Sequence, residues 1–171
     1  YAVYYTIPDQ KTDAYSFAEY CGSLTDDSNI ARIFNQKEND FLTKNLLIGV
    51  KQAWIGGYYQ PVFSKNQTFQ GWLWLDQKVL SASVPVIYDN WKSGRPNNDA
   101  SKPWIAIYGD QGNEGKGNYP GLWKDFSANN QYNFVCEVRC SLGQKDDEEL
   151  LFDWSGEMRS TDNDDPVTNG M

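Results

Sequence analysis

From about Ser81 to Pro120 the chain is rich in Gly, Asn, Asp, Pro and Ser, and only Trp104 to Tyr108 within it reads as a strand. A compact domain rarely carries so long an irregular stretch unless the loop is functional or disordered. The fold must therefore support a long loop on a scaffold built from the rest of the chain. With 171 residues there is enough chain for one domain with a real core.

That scaffold is readable in pieces. Val3 to Ile7 reads as a short strand ended by Pro8. Ala14, Phe17, Ala18 and Cys21 recur at helical spacing, which predicts a helix that starts near Thr12 and stops at Gly22. Asn35 and Glu38 have the spacing of a capping box, and Phe41, Leu42 and Leu46 give the second helix its apolar face before Gly49 ends it. After residue 50 the strand candidates are Ala53–Gly56, Trp72–Leu75, Trp104–Tyr108, Gly121–Asp125 and Asn133–Val138. Two early helices followed by short strands and long loops predict an α+β domain. Seven Trp, eleven Tyr and eight Phe fit a strand-rich core, and Tyr and Trp are also enriched at binding surfaces.

Composition removes several functions. The chain has no histidine, so His-based triads and His-containing zinc sites are excluded. The net charge of −8 is concentrated at one end: residues 141–171 carry nine acids against Lys145 and Arg159. Residues 1–140 are close to neutral and offer no basic surface for nucleic acid or anionic membrane. No apolar run is long enough to span a bilayer. The chain opens at Tyr1 without a recognisable signal segment, as a mature form or a fragment of a longer precursor would. We expect a domain over 1–140 and an acidic, poorly ordered tail or linker over 141–171, whose apolar island at Leu150-Leu151-Phe152 and Trp154 docks on the domain or stays free. Asn66-Gln67-Thr68 is a glycosylation sequon, pertinent only to a secreted chain. Three cysteines, Cys21, Cys136 and Cys140, are too few and too dispersed for a zinc cluster.

The motifs, taken in order, resemble a known family. They are the helix bearing Cys21, Trp54-Ile55-Gly56-Gly57, Trp72-Leu73-Trp74, Tyr88-Asp89-Asn90-Trp91 and Gly94-Arg95-Pro96-Asn97-Asn98. Gly121-Leu122-Trp123-Lys124-Asp125 and Phe134-Val135-Cys136-Glu137 complete the set. This order resembles the C-type lectin-like domain, over about residues 4–140. The resemblance implies a looped α+β fold closed by a disulfide between Cys21 and Cys136, and with it an oxidising, extracellular setting. Members usually have a second disulfide, but its positions fall near Trp104 and Ala128, so packing of Trp104 is expected to stand in for it. Cys140 is additional, and either bridges to another chain or is a thiol without a partner in this stretch.

The resemblance also implies a calcium site in sugar-binding members, and here its ligand positions have changed. The Glu of the family's E-P-N is Arg95, the later acid falls at or beside Lys102, and the Asn of W-N-D is Lys124, leaving only Asn97 and Asp125. Three cations beside a divalent ion would each repel it by several kcal/mol. We therefore expect no calcium and no other cofactor. The candidate ligand-binding residues are Arg95, Asn97, Asn98, Lys102, Glu114, Lys124 and Asp125. Arg95, Lys102 and Lys124 either form a cationic patch among Tyr88, Trp91, Trp104, Tyr108 and Tyr119, or enter ordinary surface pairs. In the second case Lys124 takes Asp125 or Glu114, and Arg95 takes Asp99. The expected function is an extracellular, non-enzymatic recognition module that binds a protein or acidic glycan through the long-loop face without calcium. The alternatives are an assembly domain of a larger extracellular protein, covalently or non-covalently oligomeric, and a calcium-dependent lectin with a non-standard site built from Asp99, Asp110 and Glu114.

Overall fold

A computed structural model describes residues 2–7, 9–60, 71–77 and 83–139. Cys140, Asn66 and the acidic segment therefore lie outside the described residues. The chain begins with strand β1 (Ala2–Tyr5) and helix α1 (Ala14–Ser23). The Asp13 side chain caps α1 by accepting the backbone N–H groups of Tyr15 and Ser16 at 3.0 and 2.9 Å. Ala14, Phe17 and Cys21 line its buried face as the spacing predicts, and the helix runs through Gly22 to end one residue later.

Helix α2 (Gln36–Phe41) is capped by Asn35, which accepts the Glu38 N–H at 3.0 Å. Glu38 returns the bond to the N–H of Phe34 at 2.7 Å, so the box closes one residue further out than predicted. A π-helical turn (Leu42–Leu46) follows, closed by Leu47 N–H on the Leu42 carbonyl at 3.0 Å. The extra residue in that turn rotates the apolar face. Leu42 and Leu47 are buried, whereas Phe41, expected in the core, is exposed and leans on Tyr4.

The strands form two main sheets. In the smaller, β11 (Cys136–Arg139) lies antiparallel between β1 and β2 (Ser28–Ile30), in the order β1-β11-β2. Tyr5 lies opposite Cys136, and the Cys21–Cys136 disulfide joins this sheet to α1 across a Cα separation of 5.3 Å. Glu137 is fully buried here and accepts from Arg32 and Arg139, which ties the sheet's polar face together.

The larger sheet contains β3 (Gln52–Gln60), β4 (Gly71–Trp74), β5 (Val84–Pro85), β6 (Trp104–Tyr108) and β9 (Trp123–Phe126), in the order β5-β4-β3-β6-β9. The short strand β10 (Asn133–Phe134) runs parallel to β3. Residues 133–138, expected as one strand, are thus split between sheets. The crossing is at Val135, which donates to the Trp54 carbonyl and accepts from Ala31 N–H. Between Trp54 and Tyr58 the register with β6 shifts. A Cβ at Gly57 would run into Ile105 and one at Gly56 into Ile30, which explains why two glycines follow Trp54-Ile55. Between β6 and β9 a hairpin is formed by β7 (Asn113–Glu114) and β8 (Gly117–Asn118).

Two buried clusters result. One, under the long loop, contains Leu42, Leu47, Ile55, Trp74, Ile105 and Trp123. The other surrounds the disulfide and contains Phe17, Trp54, Trp104, Ala128 and Phe134. Trp104 and Ala128, near which the resemblance put a second disulfide, are both buried in this cluster. The Trp104 ring meets Tyr15, Phe17 and Tyr58 edge-on at 5.9, 6.2 and 5.3 Å.

The one bridge closes a loop of 115 residues. Replacing both cysteines (Cys21→Ala with Cys136→Ala) should lower unfolding stability by roughly 4–5 kcal/mol through lost loop-closure entropy, read by urea denaturation. A loss below about 1 kcal/mol would show that this closure is not a main support of the fold.

Candidate functional site

The long-loop face is laid against β9 by backbone and ring contacts. Trp123 N–H donates to the Asn90 carbonyl and the Trp123 carbonyl accepts Lys92 N–H, at 2.9 and 2.8 Å. The Gly121 carbonyl, at a residue with φ of 80°, accepts from the side-chain amides of both Asn39 and Asn90. Buried Asn39 also accepts the Trp123 indole N–H at 2.7 Å, so one side chain pins α2, the loop and β9 together. Rings of Trp74, Tyr88 and Trp91 stand edge-on to Trp123 at 5.5, 5.6 and 5.8 Å. Trp72 packs on Trp91 at 5.1 Å and donates its indole N–H to Asn98 at 3.1 Å.

On this base Arg95, Asn97 and Asp125 come together. Asp125 is fully buried on β9, and Arg95 Nη1 lies 3.3 Å from its Oδ1. With the Asn97 amide nitrogen facing Asp125, that nitrogen donates to Asp125 Oδ2 and the amide oxygen accepts from Arg95 Nη1 at 3.3 Å. Residues 95 and 96 are joined by a cis peptide bond. The pairing differs from the expected one: Arg95 takes Asp125, thirty residues away, and not Asp99. Asp99 takes Lys102 at 3.4 Å and also accepts from the Ser101 N–H and hydroxyl.

Glu114 is the second meeting point. Its carboxylate accepts from Lys92 and Lys124, both at 2.6 Å, and from the Tyr108 hydroxyl at 2.9 Å. These donors, Lys124 first, hold its pKa down at about 2. The same contact, after burial, raises the Tyr108 hydroxyl far above its ordinary value. Of the two partners open to Lys124, Glu114 is the one it takes. Lys92 is a member of this group that the sequence reading did not single out. Its ammonium also lies over the Tyr119 ring at 4.2 Å. Trp104 and Tyr108 are buried, so of the rings expected around a cationic patch only Tyr88, Trp91 and Tyr119 are partly open to solvent.

The residues considered for a non-standard metal site do not converge. Asp99 and Glu114 are engaged as described, and Asp110 accepts the Gly49 N–H at 2.6 Å. Among the described residues, no three Asp, Glu or Cys side chains lie together in a group able to hold a metal ion.

Comparison with known proteins agrees with this architecture. The model of the lectin C-type domain family matches residues 10–138, and the chain belongs to that family. Its fold is shared with the mouse scavenger receptor C-type lectin carbohydrate-recognition domain, at 23% identity and a TM-score of 0.59, over 82% of this chain and 92% of that one. A calcium-independent type II antifreeze protein is similar at 16% identity and a TM-score of 0.58, over 80% of this chain and 85% of the other. The C-type lectin CEL-I from Cucumaria echinata aligns at 17% identity and a TM-score of 0.59, over 81% and 90%. Members of this family are generally not enzymes.

The family's calcium site needs six to eight oxygen ligands, with carboxylates prominent. Here both oxygens of Asp125 are engaged by Arg95 and Asn97. These residues do not fit a calcium ion.

The Glu114 contacts make a prediction about pH. Its folded pKa of about 2 lies below the ordinary 4.5, so its contribution to stability is complete above about pH 4.5 and drains away as the pH falls towards 2. Melting curves of the wild type and Glu114→Gln should differ by a constant gap near neutrality, and the gap should close below about pH 4.5. A gap that does not depend on pH would show that the clamp is not electrostatic.

Proposed function

We propose that this chain is an extracellular, calcium-independent recognition domain that binds a glycan or protein through its long-loop face. The observation that carries this reading is the Arg95 guanidinium bonded to buried Asp125, with Asn97 bridging the two. A guanidinium is a permanent cation with several fixed donors, so it can hold a carboxylate where a metal would otherwise be needed. The loop is then formed before any ligand arrives. Calcium independence occurs within the fold, as the similarity to a calcium-independent antifreeze protein illustrates. The Cys21–Cys136 bridge supports an oxidising compartment, and the absence of histidine argues against most hydrolytic chemistry. In this reading the domain spans residues 1–140, and 141–171 is an acidic tail or linker.

A screen against immobilised glycans and cell surfaces, run with excess calcium and with chelator, tests the proposal. Binding should be the same in both conditions. Chelator-sensitive binding to mannose or galactose would overturn it.

A further inference from the structure

We propose that Lys92, Lys124 and the Tyr108 hydroxyl form a binding site for the sulfate or carboxylate group of an acidic glycan, filled in the free protein by the chain's own Glu114. This rests on the reading of the long-loop face as a calcium-independent binding surface.

The donors and the acceptor are built differently. Lys124 lies on β9 and Tyr108 on β6, paired strands of the larger sheet, while Lys92 is fixed by its backbone bond to Trp123. Their side chains are packed: Lys92 is 19% and Lys124 13% exposed, with the ammonium groups over the Tyr119 and Phe126 rings at 4.2 and 5.0 Å. Glu114 is 43% exposed and sits on the β7–β8 hairpin, whose strands are two residues each and whose turn includes Gly115 at φ 62°. A polar recess of about 290 Å³ between this hairpin and Asp110–Gln111 gives it room to shift. The donors thus form a fixed anion cradle, and the anion in it lies on the more easily moved element.

Charge and surroundings indicate the ligand. Two ammonium groups face one carboxylate, so the cradle keeps an excess of one positive charge when Glu114 is seated. Of the neighbouring cations, Arg95 is committed to Asp125 and Lys102 to Asp99, while Lys116 on the hairpin and Asp110 across the recess bring one charge of each sign. A single anionic group on an otherwise neutral, hydroxyl-bearing molecule matches this arrangement. A run of acidic residues would also have to pass Asp110 on the same recess, which repels it. Gln111, Asn113 and Asn118 on the rim, beside Asp110 and Lys116, offer neutral amides that suit sugar hydroxyls. Because Glu114 stays ionised down to about pH 2, protonation does not open the cradle near neutrality, and an incoming anion must displace it.

The experiment compares the wild type, Glu114→Gln, and Glu114→Gln combined with Lys92→Met and Lys124→Met by calorimetry in low salt with chelator present. The probes are a sulfated oligosaccharide, a uronic-acid oligosaccharide, an uncharged oligosaccharide and an Asp/Glu-rich peptide. Glu114→Gln should bind one or both anionic sugars about tenfold more tightly than the wild type, since the strong charge-assisted donors are freed. The combined variant should lose that gain, and added salt should weaken it. No gain in Glu114→Gln, a gain that survives removal of both lysines, or a preference for the acidic peptide would overturn the proposal. If the combined variant melts abnormally, Lys124→Met alone in the Glu114→Gln background decides in its place. Chelator-insensitive binding by the wild type with no gain in Glu114→Gln would remove this inference alone. Chelator-sensitive binding by the wild type would remove the reading beneath it.

Discussion

A carboxylate buried at the edge of a β-sheet needs donors and an opposite charge close by, because desolvation without them costs several kcal/mol. Asp125 is such a group, and the long loop is arranged to meet its need. Arg95 comes from the middle of that loop and Asn97 from two residues further on. Satisfying Asp125 therefore fixes where residues 94–98 lie relative to β9 and β6. Removing one partner of a buried pair costs on the order of 3 kcal/mol or more, and the partial exposure of Arg95 reduces that figure. The same contact engages both oxygens of Asp125, so the order of the loop and the state of that carboxylate have one cause.

The rest of the loop is held by similar internal means. Asn39 satisfies the Gly121 carbonyl and the Trp123 indole at once, linking helix α2 to β9. Rings of Trp91, Tyr88 and Trp74 close around Trp123, and Trp72 packs on Trp91. At the far side Glu114 gathers Lys92, Lys124 and Tyr108. Around the disulfide, Trp104 packs edge-on against Tyr15, Phe17 and Tyr58. Each of these is a short-range, side-chain solution, and together they join the long loop to the sheet.

Much of the scaffold was legible because it depends on local pattern or on motifs with a steric reason. The α1 face, the Asn35 cap and the glycines after Ile55 belong to that class, whereas the Cys21–Cys136 pair followed from the family resemblance. The strand β2 was not legible, since Ser-Asn-Ile is too short to show a period. Nor was the π-helical turn, which moves the buried position from Leu46 towards Leu47 and turns Phe41 outwards. At the site, the residue types were legible and their partners were not. Asp99 is near Arg95 in sequence, but the sheet brings Asp125 nearer in space. Lys92 carried no sequence signal of its own. Its nearness to Lys124 follows from the Trp91–Trp123 bridge, which sets the two lysines side by side one residue on.

The central claim is that the Arg95–Asn97–Asp125 group is complete without calcium. The most direct measurement is an amide and side-chain NMR titration of the wild-type protein with calcium to roughly 10 mM, above the range of the weakest calcium modules. The account predicts that the resonances of Arg95, Asn97 and Asp125 stay where they are and that the melting temperature does not rise. Saturable shifts centred on these three residues, reversed by chelator, would contradict it.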